Sequence, residues 1–291
     1  MLYEMVERPD LDSPVLVLAL DGWIDAGLGA QSARESLVEE LDTVTVATFD
    51  AEALIDHRAR RPVLHIVEGV ATGLTWPSIE LRAASDDDGN DVLLLVGAEP
   101  DQRWRAFAGV VVDLALDLGA RLAVGLGAYP APVPHTRPSR LAVTAGTAEL
   151  ARHGQVRTTV DVPAGVQAAI EHRCTEVGVP ALGLWAQVPH YAAAMPYPAA
   201  GLALVDGLAS VGSLSIATPT LTRQAGEMRQ RLDELVGINP DHAAMLAQME
   251  AGYDADEAGG DLGAGAGFGG APLPSGDELA AEVERYLREQ D

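Results

Sequence analysis

The feature that most constrains the fold is an unbroken apolar run at residues 15–20 (VLVLAL), followed by a glycine-bearing turn. A run this short, with no alternation of polar residues, is typical of a strand buried on both faces of a parallel sheet. The turn, DGWIDAG at residues 21–27, leads into a segment of helical periodicity that runs to Leu41. Strand, turn and helix in this order predict an α/β fold with a central strand at residues 15–20.

The same strand–loop–helix pattern recurs along the chain. Further strands are predicted at residues 44–49, 92–96, 122–126, 141–144 and 181–187, and further helices at residues 104–118, 165–177 and from 199. We expect residues 15–20 and 44–49 to form a parallel crossover through the intervening helix. Residues 63–67 and 79–83 are expected to pair as an antiparallel flap joined through residues 69–73. The fold class predicted is a mixed, mostly parallel sheet sandwiched by helices.

The chain is predicted to divide into four segments. Residues 1–221 form the α/β core domain, and residues 222–253 form a helical hairpin in which Gly237 ends the first helix and Pro240 begins the second. Residues 254–276 are expected to be a flexible linker, because eight glycines fall within residues 255–276. Residues 277–291 carry an apolar stripe after a capping-box pattern, which predicts a C-terminal docking helix.

Composition excludes several classes of function. The chain has 43 acidic and 19 basic residues, a net charge of −24, and no lysine, so lysine-dependent catalysis and a Walker-type phosphate site are excluded. The negative charge disfavours nucleic acids and anionic membranes as partners. A single cysteine, Cys174, cannot form an intrachain disulfide, and the N-terminus lacks a signal-peptide pattern, so a cytoplasmic location is expected. The apolar residues 199–217 contain Asp206 and are predicted to be a buried helix rather than a membrane span.

Polar side chains follow four of the predicted strands. These candidate site residues are Asp21, Trp23, Asp25, Glu99, Arg103, His135, Arg137 and His190. Because parallel strands end at one edge of a sheet, where α/β proteins bind ligands, we expect these side chains to gather there. Carboxylates beside imidazoles suit acid–base chemistry, and arginines suit a phosphate. The competing interpretation is structural, with Asp21 and Asp25 capping the next helix or pairing with Arg103 or Arg137.

No motif assigns a catalytic residue, a metal or a cofactor. The spacing of histidines and acids matches no metal-binding motif, and no G-x-S-x-G sequence occurs. Gly27-x-Gly29-x-x-Ser32 approaches the dinucleotide-binding fingerprint, but serine stands at the third glycine position. We therefore expect no cofactor and no metal. Four aromatic residues are candidate subunit-interface residues, with core packing as the alternative: Trp76, Trp104, Trp185 and Tyr191.

With these motifs in view, the chain resembles the proteasome-assembly-chaperone family, second-subunit type, in its actinobacterial branch. The matching segments are DGWIDAG (21–27), TWPS (75–78), GAEP (97–100) with RW (103–104), PHTRP (134–138) and LWAQVPHY (184–191). The resemblance implies a fold similar to the nucleoside phosphorylase/hydrolase-like α/β sandwich with a C-terminal helical extension. It also implies self-association, as a homotrimer, and proteasome subunits as candidate partners.

Two functional hypotheses follow. The first is a non-catalytic cytosolic assembly protein that binds protein subunits and self-associates. The alternative is a nucleoside- or phosphate-type enzyme or binder that uses the strand-end residues. A closed polar cavity favours the alternative, whereas an open edge with internally paired charges favours the assembly protein.

Overall fold

The computed structural model describes residues 2–22, 24–156 and 159–258. The strands are β1 (Tyr3–Met5), β2 (Val15–Asp21), β3 (Val44–Phe49), β4 (Val63–Val67), β5 (Val70–Thr75), β6 (Ile79–Ser85), β7 (Asp91–Ala98), β8 (Leu122–Ala131), β9 (Leu141–Ala145) and β10 (Ala181–Pro189). The helices are α1 (Gly29–Glu40), α2 (Ala51–Leu54), α3 (Trp104–Asp117), α4 (Val166–Glu176), α5 (Pro198–Gly212), α6 (Pro219–Gly237) and α7 (Pro240–Ala258). Short 3₁₀ turns occupy Ala26–Leu28, Leu150–His153 and His190–Ala192.

Eight strands form one mixed sheet in the order β1-β3-β6-β7-β2-β8-β10-β9. The four central strands, β7, β2, β8 and β10, are parallel to one another. Antiparallel strands β6 and β9 flank them, and β3 again runs in the direction of β2. The apolar run at residues 15–20 is therefore the central strand, and the predicted fold class is confirmed.

The crossover from β2 through α1 to β3 differs from a simple βαβ unit. The two strands run in the same direction, as expected, but β7 and β6 lie between them in the sheet. Sequence pattern alone carries no information on this spacing, because the intervening strands come from residues 79–98, later in the chain. Strand β1, which pairs antiparallel with β3, was not predicted from the sequence.

The predicted pairing of residues 63–67 with residues 79–83 is wrong. Strand β4 pairs with β5 in a separate two-stranded sheet, whereas β6 lies in the main sheet between β3 and β7. Glu68 and Gly69 both have positive φ, 50° and 84°, which gives the strands a tight two-residue hairpin turn. Residues 69–73 were interpreted as a loop because two glycines interrupt them, but the surrounding Val and Thr favour a strand. We call residues 63–75 the arm.

The core lies in two layers on the two faces of the sheet. In β2, Leu16 and Leu18 pack with α3 and α4 on one face, while Val15 and Val17 pack with α1 and α5 on the other. All four side chains are at most 1% exposed. Cys174 packs in the first layer, and burial raises the pKa of its thiol to about 11. The result is a three-layer α/β/α sandwich.

Helix α6 ends at Gly237 and helix α7 begins at Pro240, and the two helices pack against each other. Helix α7 continues to Ala258, beyond the predicted start of the linker at residue 254. The remainder of that linker and the predicted helix at residues 277–291 lie outside the described residues. Within the described part of the chain, no helix is both long and apolar enough to cross a membrane.

Candidate functional site

The parallel strands β7, β2, β8 and β10 bring the predicted site segments to one edge of the sheet. Each segment follows the carboxyl end of one of these strands. A bridge between Asp25 and Ala128 joins the turn after β2 to β8. Trp23 falls outside the described residues. The hydrogen-bond and ion-pair partners of the other side chains determine which chemistry this edge of the sheet can support.

Asp25 caps helix α1 from five residues away. Its two carboxylate oxygens accept hydrogen bonds from the backbone N–H groups of Ala30 and Gln31, at 2.7 and 3.0 Å. The chain reaches this geometry because Gly27, with φ 62°, and Leu28, with φ 51°, turn it sharply before the helix. Burial raises the pKa of Asp25, although the helix N–H groups act in the opposite direction. This carboxylate satisfies orphan donors of the helix, as the structural interpretation expected.

Asp21 is paired with an arginine of the following helix. It forms a close ion pair with Arg34, whose guanidinium also lies 3.5 Å from the carbonyl of Ala19. Asp21 and Asp25 line an open cleft of about 490 Å³ together with Arg34 and Arg60. Each acid in the cleft is thus already engaged by a helix N-terminus or a guanidinium.

Glu99 is buried and binds the start of helix α4. Its Oε1 accepts a hydrogen bond of 2.7 Å from the backbone N–H of Val166, and the residue is only 6% exposed. Arg103, four residues later, has a left-handed φ of 62° and an exposed side chain just before α3. Glu99 therefore joins the end of β7 to a helix on the opposite side of the core from α1.

His135 is the centre of a hydrogen-bonded chain that joins three segments. Its Nδ1 lies 2.7 Å from the Tyr191 hydroxyl, which also accepts a hydrogen bond from the His135 backbone N–H. Its Nε2 lies 3.2 Å from Asp233 of helix α6. Burial lowers the pKa of His135 despite the nearby carboxylate, so the neutral imidazole is favoured. His190, by contrast, is exposed and places its ring edge-on to Tyr191.

Arg137 is engaged by helix α7. Its guanidinium donates to both oxygens of Asp254, at 2.7 and 2.8 Å, and lies 3.3 Å from Glu250. These carboxylates raise the pKa of Arg137 above its ordinary value. Nearby, the Arg140 guanidinium lies 3.4 Å from the centre of the Tyr253 ring. The loop after β8 is thus a docking surface for the helical hairpin.

The structure divides the predicted site into three separate places. Asp21 and Asp25 share one cleft, Glu99 is buried beneath α4, and His135 and Arg137 bind the C-terminal hairpin. Sequence reasoning missed the partners Asp233, Glu250 and Asp254, because acids about 100 residues away carry no local signal. Among the described residues, no three acidic, histidine or cysteine side chains are arranged to hold a metal ion.

The four aromatic candidates differ in exposure. Trp76, at the end of the arm, is 50% exposed. Trp104 is partly buried and donates to the Pro100 carbonyl at 2.6 Å, and Trp185 is partly buried and donates to Thr144 at 3.0 Å. Tyr191 is held by His135, as described above. Trp76 therefore offers the most accessible surface of the four.

A groove of about 640 Å³ lies beside His135 and Arg137, between α5, α6 and β9. Its lining is mixed, with apolar side chains beside polar ones. Two of its polar residues, His135 and Arg137, make the contacts with α6 and α7 described above, whereas others, such as Gln155 and Ser210, do not. No closed polar cavity surrounds the predicted site residues within the described part of the chain.

Comparison with known proteins identifies the family. The sequence model of the PAC2 family matches residues 19–236, about three quarters of the chain. The chain belongs to the PAC2 family. This match includes every segment on which the resemblance to proteasome assembly chaperones rests, and it ends within helix α6. Among curated proteins, none matches this PAC2 chain in sequence.

Several solved structures are similar to this PAC2 protein. Rv2714 of Mycobacterium tuberculosis, a protein of unknown function, is 36% identical, with 89% of this chain and 90% of that chain covered and a TM-score of 0.82. A protein of unknown function from Corynebacterium glutamicum is 31% identical, covering 88% and 98%, with a TM-score of 0.83. Rv2125 of M. tuberculosis, described as a proteasome-assembly chaperone homologue, is 31% identical, covering 81% and 99%, with a TM-score of 0.74.

Proposed function

We propose that this PAC2 protein is a non-catalytic, cytosolic protein-binding and assembly protein that associates with itself through the arm. The observation that carries the proposal is the exposure of the arm. Every residue of β4 and β5 is exposed, although most of their side chains are apolar. Seven large apolar side chains in and next to the arm are 45–64% exposed: Val63, Leu64, Ile66, Val67, Val70, Leu74 and Trp76.

The apolar area of the arm is large for two short strands. From the exposed fractions, the seven side chains together present roughly 700 Å², divided between the two faces of the hairpin because successive side chains of a strand point to opposite faces. A stable protein–protein interface buries about 800 Å² on each partner. A two-stranded hairpin is also only marginally stable without packing on another surface. When both of its faces are covered by a partner, the arm therefore buries an area close to one side of such an interface.

The strand-end residues support a structural rather than a catalytic role. Asp25 caps α1, Glu99 binds the start of α4, and Arg137 is bound by two carboxylates of α7. A catalytic group needs access to a substrate, but these polar atoms are already occupied by the protein's own groups. The nucleoside- or phosphate-type alternative is less well supported for this reason. It predicts thermal stabilisation by a phosphate ester that is lost in Arg137→Ala.

Proteasome subunits are the partners we propose for this activity. The support is the family itself and the description of Rv2125, 31% identical, as a proteasome-assembly chaperone homologue. The fold is shared with PbaB of Pyrococcus furiosus, described as an archaeal proteasome activator, at 17% identity and a TM-score of 0.63. Self-association is expected to give a homotrimer.

Native mass spectrometry tests the proposal. We expect the full chain to be a homo-oligomer and to form a mixed complex with the host's proteasome α-subunits. The double variant Ile66→Asp, Val70→Asp is expected to be monomeric, because it places two charges in the apolar surface. Ile238→Asp is the matched control, since Ile238 is 81% exposed in the turn between α6 and α7, away from the arm. A monomeric wild-type chain, or an arm variant that assembles normally, contradicts the proposal.

A further inference from the structure

The groove between α5 and α6 has a mixed lining with an apolar part. Leu141 of β9, Leu184 of β10 and Leu202 of α5 form this apolar part. Small residues that line the groove, such as Ala203 and Gly226, leave part of its volume unfilled. A Cβ atom added at Gly226 would meet no atom within 4 Å. At about 640 Å³, the groove has room for several aliphatic side chains.

One charged group in this groove lacks a partner. The cations at the rim are neutralised, because Arg137 is bound to Asp254 and Arg229 lies 3.8 Å from Asp233. Asp206, in the middle of the α5 face, makes no hydrogen bond or ion pair with any described residue. Asp206 is exposed, and its slight burial raises its pKa because no described residue offsets the lost hydration. A cation placed above an apolar surface therefore complements this groove.

The arm has the complementary character. Its apolar strands follow three arginines, Arg58, Arg60 and Arg61, in a chain of net charge −24. Arg60 pairs with Asp101 at 3.3 Å, whereas the exposed Arg58 and Arg61 side chains make no ion pair with the described residues. The arm thus matches the groove in both polarity and charge.

The arm cannot occupy the groove of its own chain. It connects β3 to β6 near one edge of the sheet, whereas the groove lies beside β9 at the other edge. Six strand spacings separate β3 from β9, which is roughly 29 Å at about 4.8 Å per spacing. A five-residue strand such as β4 spans only about 17 Å. An arm that fills this groove must therefore come from a second molecule.

We propose that the arm of one protomer inserts into the α5–α6 groove of a second copy, with an arginine at the base of the arm pairing with Asp206. This inference rests on the self-association proposed above and names the two surfaces that meet. A two-fold dimer exchanges both arms, whereas a contact in which each copy gives its arm to one neighbour and receives the arm of another is head-to-tail. Such contacts generate closed rings when the rotation between copies closes, and a trimer is the smallest such ring that is not a dimer.

Mixing two defective variants tests this pairing. The arm variant is Ile66→Asp, Val70→Asp, and the groove variant is Ala203→Arg, which fills the groove and repels the arginines of the arm. We expect each variant alone to lose self-association at least about tenfold, because each lacks one of the two complementary surfaces. A 1:1 mixture should recover a heterodimer in native mass spectrometry, because one molecule retains an arm and the other a groove.

Other outcomes separate this inference from the proposed function. If Ala203→Arg assembles like the wild type, the groove is not the docking surface, although self-association through the arm still stands. If both variants are monomeric and the mixture forms no heterodimer, the pairing is also refuted. If the arm variant assembles normally, both proposals fail. Asp206→Asn provides a second groove variant that removes the charge with little change in volume and should weaken self-association, and circular dichroism of every variant checks that the fold is retained.

Discussion

Glu171 offers a sharp test of how the core is built. This glutamate of α4 points into the sheet, where Gly125 of β8 and Gly183 of β10 leave room for its carboxylate. A Cβ atom at either glycine would come within 2.7 Å of Glu171 Oε1. Gln167 donates to Oε1 at 2.9 Å, and the residue is 9% exposed. Among the described residues no cation faces it to offset the lost hydration, so burial raises the pKa of Glu171 to about 7.

The size of the pH-dependent change in stability follows from this pKa shift. The pKa of Glu171 rises from 4.5 to about 7 on folding, so the folded state binds the proton more tightly. Below the pKa that Glu171 has in the unfolded state, the free energy of unfolding keeps its full value. It falls as the pH rises through the pKa that Glu171 has in the folded state. At about 1.4 kcal/mol per pKa unit, the full loss is about 3 kcal/mol, of which about 2 kcal/mol falls between about pH 5.5 and 8.5.

We predict that Glu171→Gln removes this loss, because glutamine has nearly the same shape and cannot ionise. Relative to the wild type, the variant should gain about 2 kcal/mol in free energy of unfolding between about pH 5.5 and 8.5. Urea unfolding followed by circular dichroism measures this difference. The lower pH remains above the isoelectric point of about 4.4, which limits precipitation.

Glu176→Gln is the control, since Glu176 lies at the exposed end of the same helix and pairs with Arg173 at 3.0 Å. The repulsion among the many surface acids changes with pH in all three proteins and largely cancels in the comparison. If Glu171→Gln and Glu176→Gln show the same small pH dependence relative to the wild type, the carboxylate is not desolvated as described.

Three further predictions concern the core and the helical hairpin. Leu37→Ala should lower the free energy of unfolding by about 3 kcal/mol, because Leu37 is fully buried and a cavity remains; chemical denaturation measures this. Tyr253→Ala removes the hydrogen bond to the Pro138 carbonyl and the contact with Arg140, so hydrogen exchange should speed up in α7 while the sheet remains protected. Burial lowers the pKa of His135, so acidification below about pH 6.5 should destabilise the wild type more than His135→Gln in urea unfolding.

The fold class could be predicted from the sequence because the patterns that indicate strands and helices are local. The apolar run in β2 and the helical period of α1 arise from neighbouring residues, and both elements appear where they were expected. The capping role of Asp25 was also foreseen as one alternative, since its partners lie within six residues. Physical chemistry at short range is sufficient for such features.

The features that sequence reasoning missed depend on distant residues. Arg137 was expected to bind an anion or a nearby acid, but its partners are more than 100 residues away on α7. The prediction paired residues 63–67 with β6 because β6 is as suitable by composition as β5. The choice depends on the main sheet, in which β6 lies between β3 and β7. Strand order is a property of the whole chain.

The order of strands also has a consequence for synthesis on the ribosome. Strand β3 emerges soon after β2, but its position in the sheet is separated from β2 by β6 and β7. Until residue 98 has left the exit tunnel, the edge of β3 that pairs with β6 and the edge of β2 that pairs with β7 stay open, although β1 is available to pair with the other edge of β3. Slower translation of residues 50–98 would lengthen this interval, so codon usage in that segment should influence the yield of native protein.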